Sequence, residues 1–121
     1  MKTIICDIDG PLLNYLHHEI PEPGEIKEHI ALPGVVEKMR QWEVQGCRMI
    51  LITGRRESER ERTEKELKHF HIPYDILLMG YADTGRVLIN AINYVGKVKA
   101  HCVNLTRDEG FENINWEEVG L

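Results

Sequence analysis

The stretch IICDIDGPLL, residues 4–13, sets two aspartates one residue apart directly after an apolar run. The run Lys2–Ile8 is rich in isoleucine and too short for a helix, so it predicts a buried strand. Asp7 and Asp9 therefore come where the first core strand ends. Either they end that strand in a turn, for which Asp-Gly is a common signal, or they belong to a ligand site.

Strand-like runs alternate with helix-like segments along the rest of the chain. The further strand candidates are Arg48–Ile52, Ile76–Met79, Val87–Ile89 and Ala100–Leu105. Helices are predicted from Pro33-Gly34 to Gly46 and over the strongly charged segment Glu57–Phe70. This alternation predicts an α/β fold with a doubly wound, mostly parallel five-stranded sheet, in a single domain of residues 1–121.

In such sheets ligands bind outside the carboxyl ends of the strands. Asp7 and Asp9 follow the first predicted strand, Thr53 follows the second and Asn90 follows the fourth, so parallel strands would bring them to one edge. One connection fits poorly, because Gly80 to Arg86 is only seven residues and a helical crossover usually needs about a dozen. An extended link of that length reaches about 24 Å. Either it crosses the sheet extended, or one edge strand is antiparallel.

Composition excludes several classes of protein. At 121 residues, with 42% hydrophobic and 29% charged residues, the chain has the composition of an ordinary soluble globular protein. Its net charge of −5 argues against a non-specific binder of nucleic acid or of anionic membranes. No apolar run approaches the roughly 20 residues that span a bilayer, and Met1-Lys2 leads directly into the first predicted strand rather than into a signal sequence. We therefore expect a cytoplasmic protein without a membrane segment.

Two motifs carry a resemblance to a known family. DIDG at 7–10 and ITGR at 52–55, each after a predicted strand, resemble the first two motifs of the haloacid dehalogenase-like superfamily of phosphotransferases. The run 52–80 is similar to small phosphatases related to the polynucleotide kinase 3′-phosphatase domain and to capsular-polysaccharide-associated members. The later segments GRVLINAI and AHCVNLTRDEG resemble a group that usually has LIND at the fourth motif. The resemblance implies the Rossmann-like core of this superfamily, with a minimal cap or none.

The resemblance also implies roles for matching residues. Asp7 would be the nucleophile that forms an aspartyl-phosphate, and Asp9 would be the general acid and base. Thr53 would bind a phosphoryl oxygen through its hydroxyl group. The implied cofactor is Mg²⁺, held by Asp7, by the backbone carbonyl of Asp9 and, at the fourth motif, by Asn90.

Phosphate binding is implied for a second group of residues. Backbone amides near Gly10 and Gly54 would help to hold the phosphoryl group, and Arg55 would contact the substrate. For Arg55 the alternative is a surface position at the start of a helix. The lysine of the third motif is replaced, since many relatives have Lys-Pro where this chain has Tyr81-Ala82. Arg86 is the nearest basic substitute.

Further departures concern the metal site and the phosphate loop. Asn90-Ala91 stands where relatives have Asn-Asp or Asp-Asp, which removes up to one negative charge and should weaken Mg²⁺ binding. Pro11 replaces the usual threonine and removes one amide donor from the phosphate loop. These departures bear on activity more than on the fold.

Two functions of different classes follow. The first is a Mg²⁺-dependent phosphomonoester hydrolase whose open site admits a phosphorylated small molecule, a glycan or a nucleotide end. The alternative is a catalytically impaired module that binds a phospholigand or a partner. Retention of both Asp7 and Asp9 favours the enzyme, because a binding module gains only repulsion from a nucleophile. Since capless sites in such families are often completed by a neighbouring chain, a homo-oligomer is also expected.

Overall fold

A computed structural model describes residues 2–16, 28–82 and 84–121. Its sheet has three parallel strands, β1 (Thr3–Asp7), β2 (Arg48–Ile52) and β3 (Ile76–Leu78), in the order β1-β2-β3. Asp7 pairs with Ile52, and Ile52 pairs with Leu78. The carboxyl ends of all three strands therefore meet at one edge, as expected for an α/β protein with a parallel sheet.

Two helices connect the strands and close the core. In α1 (Val35–Val44) the buried residues Val35, Met39 and Trp42 repeat at helical spacing, and the helix ends before Gly46 as predicted. A 3-10 helix (Glu57–Glu59) leads into α2 (Arg60–His69). This second helix is charged over most of its surface and buries only Thr63 and Leu67.

An aromatic cluster joins α1 to the end of the chain. The ring centroid of Trp42 lies 5.7 Å from that of Phe111 and 4.9 Å from that of Trp116, and the latter two are 4.9 Å apart. Trp116 opens a 3-10 helix (Trp116–Val119). The tail of the chain therefore packs back on α1, and the two edge-to-face pairs made by Trp116 add to the burial of the rings.

The prediction of five strands is wrong for the fourth and fifth. Neither Val87–Ile89 nor Ala100–Leu105 forms a strand, and Val87 and Ile89 are 88% and 91% exposed. The link from Gly80 to Arg86 is too short for the usual helical crossover, and the segment that follows it is exposed rather than paired with the sheet. In the described sheet, β1 is therefore one edge strand and β3 is the other.

Part of the Pro/Gly-rich stretch between β1 and α1, residues 17–27, lies outside the described residues. Its two ends approach each other, since Leu13 forms an antiparallel bridge with Ala31 and the Asn14 side chain accepts a hydrogen bond from the Ile30 N–H at 2.6 Å. This return places His29 near the sheet edge. None of the helices in residues 2–16, 28–82 and 84–121 is long and apolar enough to cross a membrane.

Candidate active site at the carboxyl edge of the sheet

Asp7 ends β1 in a half-buried position. One carboxylate oxygen, Oδ1, accepts the Ile8 N–H at 2.9 Å, and Oδ2 lies 3.5 Å from Nη1 of Arg86. Burial raises the pKa of Asp7, although the Ile8 hydrogen bond and the Arg86 charge oppose that rise. Nη2 of Arg86 donates to the Tyr81 carbonyl at 3.2 Å. The guanidinium of Arg86 therefore lies beside Asp7, and the Tyr81 carbonyl holds it there.

Asp9, two residues on, has a different partner. Arg55 clamps its carboxylate with two hydrogen bonds, Nε to Oδ2 at 2.9 Å and Nη2 to Oδ1 at 2.7 Å. The side chain of Arg55 is 7% exposed and that of Asp9 is 22% exposed. Paired bonds of this kind fix the plane of the carboxylate as well as its position. The side chain of Arg55 thus points into the cluster beside Asp9, and the alternative of a surface position at a helix start is wrong.

Helix α2 supplies the remaining partners of Arg55. Nη1 donates to the Thr63 hydroxyl at 3.1 Å, and Nη2 donates to Oε1 of Glu66 at 2.9 Å. Thr63 and Glu66 are three residues apart, so they share one face of the helix. Burial alone would lower the pKa of Arg55, but hydrogen bonds and charges from Asp9 and Glu66 raise it. The guanidinium is therefore permanently charged.

His29 closes the cluster from the other side. Its Nδ1 lies 2.9 Å from Oε2 of Glu66 and its Nε2 lies 3.6 Å from Oδ1 of Asp9. Its side chain is 14% exposed. Sequence reasoning missed His29, Thr63 and Glu66. The one available signal was Thr63, a polar residue four positions before Leu67 on the narrow buried stripe of a charged helix.

Thr53 follows β2 and is 1% exposed. Its N–H donates to the Leu78 carbonyl at 3.0 Å, which extends the pairing with β3 beyond the strand. Its hydroxyl oxygen accepts the Arg55 N–H at 3.1 Å, and Gly54 lies in the bend between the two. This local turn fixes both the Thr53 hydroxyl and the start of the Arg55 side chain at the sheet edge.

Gly10 lies in the loop after Asp9 with φ +109°, a conformation that favours glycine. Its N–H donates to the Leu13 carbonyl at 2.7 Å, and its carbonyl accepts the Asp108 N–H at 3.0 Å. The Gly10 amide predicted to face phosphate is thus bonded within the loop. The segment around Asp108 also brings Arg107 to this edge, with its guanidinium 4.5 Å from the centre of the Tyr15 ring. Arg107 is a further cation near this edge, and sequence reasoning missed it.

Asn90 is exposed in a segment without strands. Among the hydrogen bonds and ion pairs found in the described ranges, none links it to Asp7 or Asp9. Nor does the described part of the chain contain a group of three or more His, Cys, Asp or Glu arranged to hold a metal ion. The Asp7 carboxylate and the Asp9 backbone carbonyl still fit the chemistry of Mg²⁺, which commonly takes one or two carboxylates together with water and phosphate oxygens.

No family model and no curated protein matches the chain, but solved structures do. A chain of the Pnkp1/Rnl/Hen1 complex is 30% identical with a TM-score of 0.54, over 71% of this chain and 30% of that one. A chain of the Pnkp1/Rnl/Hen1 RNA repair complex is also 30% identical with a TM-score of 0.54, over 70% of this chain and 27% of that one. The present chain thus spans less than a third of the length of either.

A crystal structure from Vibrio cholerae gives the widest coverage of these matches. It is 18% identical to this chain with a TM-score of 0.55, and the alignment covers 98% of this chain and 94% of that one. At this level of identity the likeness shows a shared fold alone. That shared fold extends over nearly the whole sequence.

Proposed function

This chain belongs to the haloacid dehalogenase-like superfamily, and on that premise we propose that it is a Mg²⁺-dependent phosphomonoester hydrolase working through an aspartyl-phosphate. Residues 1–121 would act as one domain, in the cytoplasm. The observation that carries this proposal is the pair of carboxylates after β1, which stand two residues apart in different surroundings. Burial raises the pKa of Asp7, beside which Arg86 stands, whereas Asp9 is clamped by Arg55.

The resemblance implies two different tasks for these carboxylates. An oxygen of Asp7 would form a bond to phosphorus while the bond from phosphorus to the leaving oxygen breaks, and Asp9 would give its proton to that leaving oxygen. Asp9 would then take a proton from a water molecule whose oxygen attacks phosphorus. Inorganic phosphate leaves, and Asp7 is restored as a carboxylate. A carboxylate has about four lone-pair sites, so the two bonds from Arg55 leave lone pairs on Asp9 to face the leaving group and water.

Neighbouring residues would hold the phosphoryl group. Arg86 would take the part of the third-motif lysine, because its Nη1 lies 3.5 Å from Asp7 Oδ2, within reach of a phosphate held there. The Thr53 hydroxyl and the backbone at Gly54 would face the phosphoryl oxygens. Arg55 would serve the substrate through Asp9, since four of its hydrogen bonds already go to protein groups.

Asp7, the Asp9 backbone carbonyl and, after a movement of its segment, Asn90 would hold Mg²⁺. When bound, the ion would offset the repulsion between the phosphate and the nucleophile. Because Ala91 contributes no ligand, we expect its affinity to be low. Calorimetric titration with Mg²⁺ should show tighter binding to Ala91→Asp than to wild type, and no gain in that variant would contradict this account of the metal site.

The substrate would be a phosphate on an extended molecule, such as a nucleotide end or a glycan. One relative at 30% identity is a chain of an RNA repair complex, which favours a phosphorylated nucleic-acid end. The net charge of −5 argues against tight binding along a nucleic-acid backbone, so contacts would concentrate on the terminal phosphate.

Hydrolysis of p-nitrophenyl phosphate with Mg²⁺ tests the function. We expect slow turnover by wild type and none by Asp7→Asn. Asp75→Asn is the matched control, because Asp75 lies at the opposite edge of the sheet, where it accepts the Met49 N–H at 2.7 Å. Equal rates in wild type and Asp7→Asn, or no turnover of any ester in a broad panel, would favour the impaired binding module instead.

A further inference from the structure

We propose that Glu66 is a positioning residue for the proton transfer at Asp9, acting through Arg55 and fastened in turn by His29. This inference rests on the proposed function. It concerns a residue of α2 that contacts neither the expected phosphate position nor Asp7, and that the two sequence motifs do not include.

The first step is the number of bonds on the guanidinium. Arg55 has five N–H donors, and four bonds are made: two to Asp9, one to Thr63 and one to Glu66. Nη2 serves both carboxylates, with Asp9 Oδ1 at 2.7 Å and Glu66 Oε1 at 2.9 Å. Nη2 of Arg55, which donates to Asp9, is therefore also held by Glu66.

The second step is what holds Glu66. Oε2, the oxygen that does not contact Arg55, lies 2.9 Å from Nδ1 of His29. Both carboxylate oxygens of Glu66 are thus engaged, and its side chain is 20% exposed. Nε2 of His29 then reaches to 3.6 Å from Asp9 Oδ1. The result is a closed ring of four side chains from four separate parts of the chain.

The third step is the consequence for chemistry. A general acid has to align its proton with the leaving oxygen, and a misplacement of about 1 Å can reduce the rate a hundredfold. Without Glu66, Nη2 of Arg55 would lose one of its two anchors and the Asp9 carboxylate could turn with it. The rate of hydrolysis would then fall most for esters whose leaving group needs a proton in the transition state.

Two substrates separate this role from a merely structural one. The alkoxide that leaves glycerol 2-phosphate needs a proton in the transition state, whereas the nitrophenolate that leaves p-nitrophenyl phosphate is stable without one. For Glu66→Ala we expect kcat/KM to fall by about tenfold or more on glycerol 2-phosphate and by less than about threefold on p-nitrophenyl phosphate. Glu66→Gln keeps an oxygen for Arg55 and should recover most of the loss.

Glu61→Ala is the matched control, because Glu61 lies on the same helix, 84% exposed, and pairs only with Lys65 among the contacts found in the described chain. We expect both rates unchanged in this variant. His29→Ala provides a second route should Glu66→Ala fail to fold, and it should show the same preference for loss on the alkyl ester.

Equal losses on the two esters, or no loss on either, would overturn the inference while leaving the proposed function intact. If wild type hydrolyses no ester of the broad panel, the proposed function fails and the role of Glu66 fails with it. A selective loss in Glu61→Ala of the same size would also overturn the inference, since it would trace the effect to helix charge rather than to the ring.

Discussion

Replacing Arg55 by methionine should destabilise the fold by about 3 kcal/mol. Arg55 is 7% exposed and bonds to Asp9, Thr63 and Glu66. Methionine has a similar length and fills the apolar part of the site, but it carries no charge. The substitution therefore leaves two carboxylates facing each other without the guanidinium that joined them, although His29 still lies next to both.

The magnitude follows from the geometry. Asp9 Oδ1 and Glu66 Oε1 lie 2.7 and 2.9 Å from the same nitrogen. At a separation of about 5 Å and an effective dielectric constant of about 20, two unit charges repel by about 3 kcal/mol. Removing one partner of a buried ion pair typically destabilises by about 3–5 kcal/mol. Because the two carboxylates are 22% and 20% exposed, water would enter, and the lower end of that range applies.

Urea unfolding at neutral pH of wild type, Arg55→Met, Glu66→Gln and the double variant measures this. We expect the double variant to lose at least about 1 kcal/mol less than the sum of the single losses, because removing Glu66 relieves the repulsion. Arg62→Met is the control, since the Arg62 side chain is 67% exposed in its pair with Glu59, and its loss should stay within about 0.5 kcal/mol. A loss below about 1 kcal/mol for Arg55→Met, or strict additivity, would refute this reasoning.

Two further outcomes are expected. Since burial raises the pKa of Asp7, its negative charge destabilises the fold above the folded-state pKa, and this effect disappears below the unfolded value of about 4. Asp7→Asn should therefore have a higher melting temperature than wild type at neutral pH but not in acid. A difference in melting temperature that does not change with pH would contradict this. Gly110→Ala should lose more stability in urea than Gly80→Ala: both have positive φ, but only at Gly110 would the added Cβ clash with the Pro33 carbonyl. Equal losses would contradict the clash.

The sheet edge was predictable because it depends on local patterns. Short apolar runs identify β1 and β2, and the rule for parallel strands then brings Asp7, Asp9 and Thr53 to one edge. Helix α1 was also predictable, since Val35, Met39 and Trp42 repeat at helical spacing. These inferences need only the residues within each element and the hand of a parallel connection.

The fourth and fifth strands show where such patterns fail. Val87–Ile89 is apolar enough for a strand, but a strand needs a partner that the connecting chain allows it to reach. The short link after Gly80 does not supply the usual crossover, and so Asn90 is not at a strand end. The ring of Asp9, Arg55, Glu66 and His29 could not be predicted from the sequence for another reason. Its bonds join residues 46 and 11 positions apart in sequence, and Glu66 is one of many acidic residues on a charged helix.

The two aspartates after β1 contact different cations. Asp9 has its countercharge in Arg55, which is buried, fixed by four hydrogen bonds and shared with Glu66. Among the described residues, Asp7 has only Arg86 as a countercharge, at 3.5 Å and on a side chain that is 32% exposed. A phosphate or a metal ion arriving at this edge would therefore meet one carboxylate held by two hydrogen bonds from Arg55 and one whose contact with a cation is longer. Because charge compensation strengthens as water is excluded, the incoming group would act chiefly on Asp7, while the ring would hold Asp9 in place.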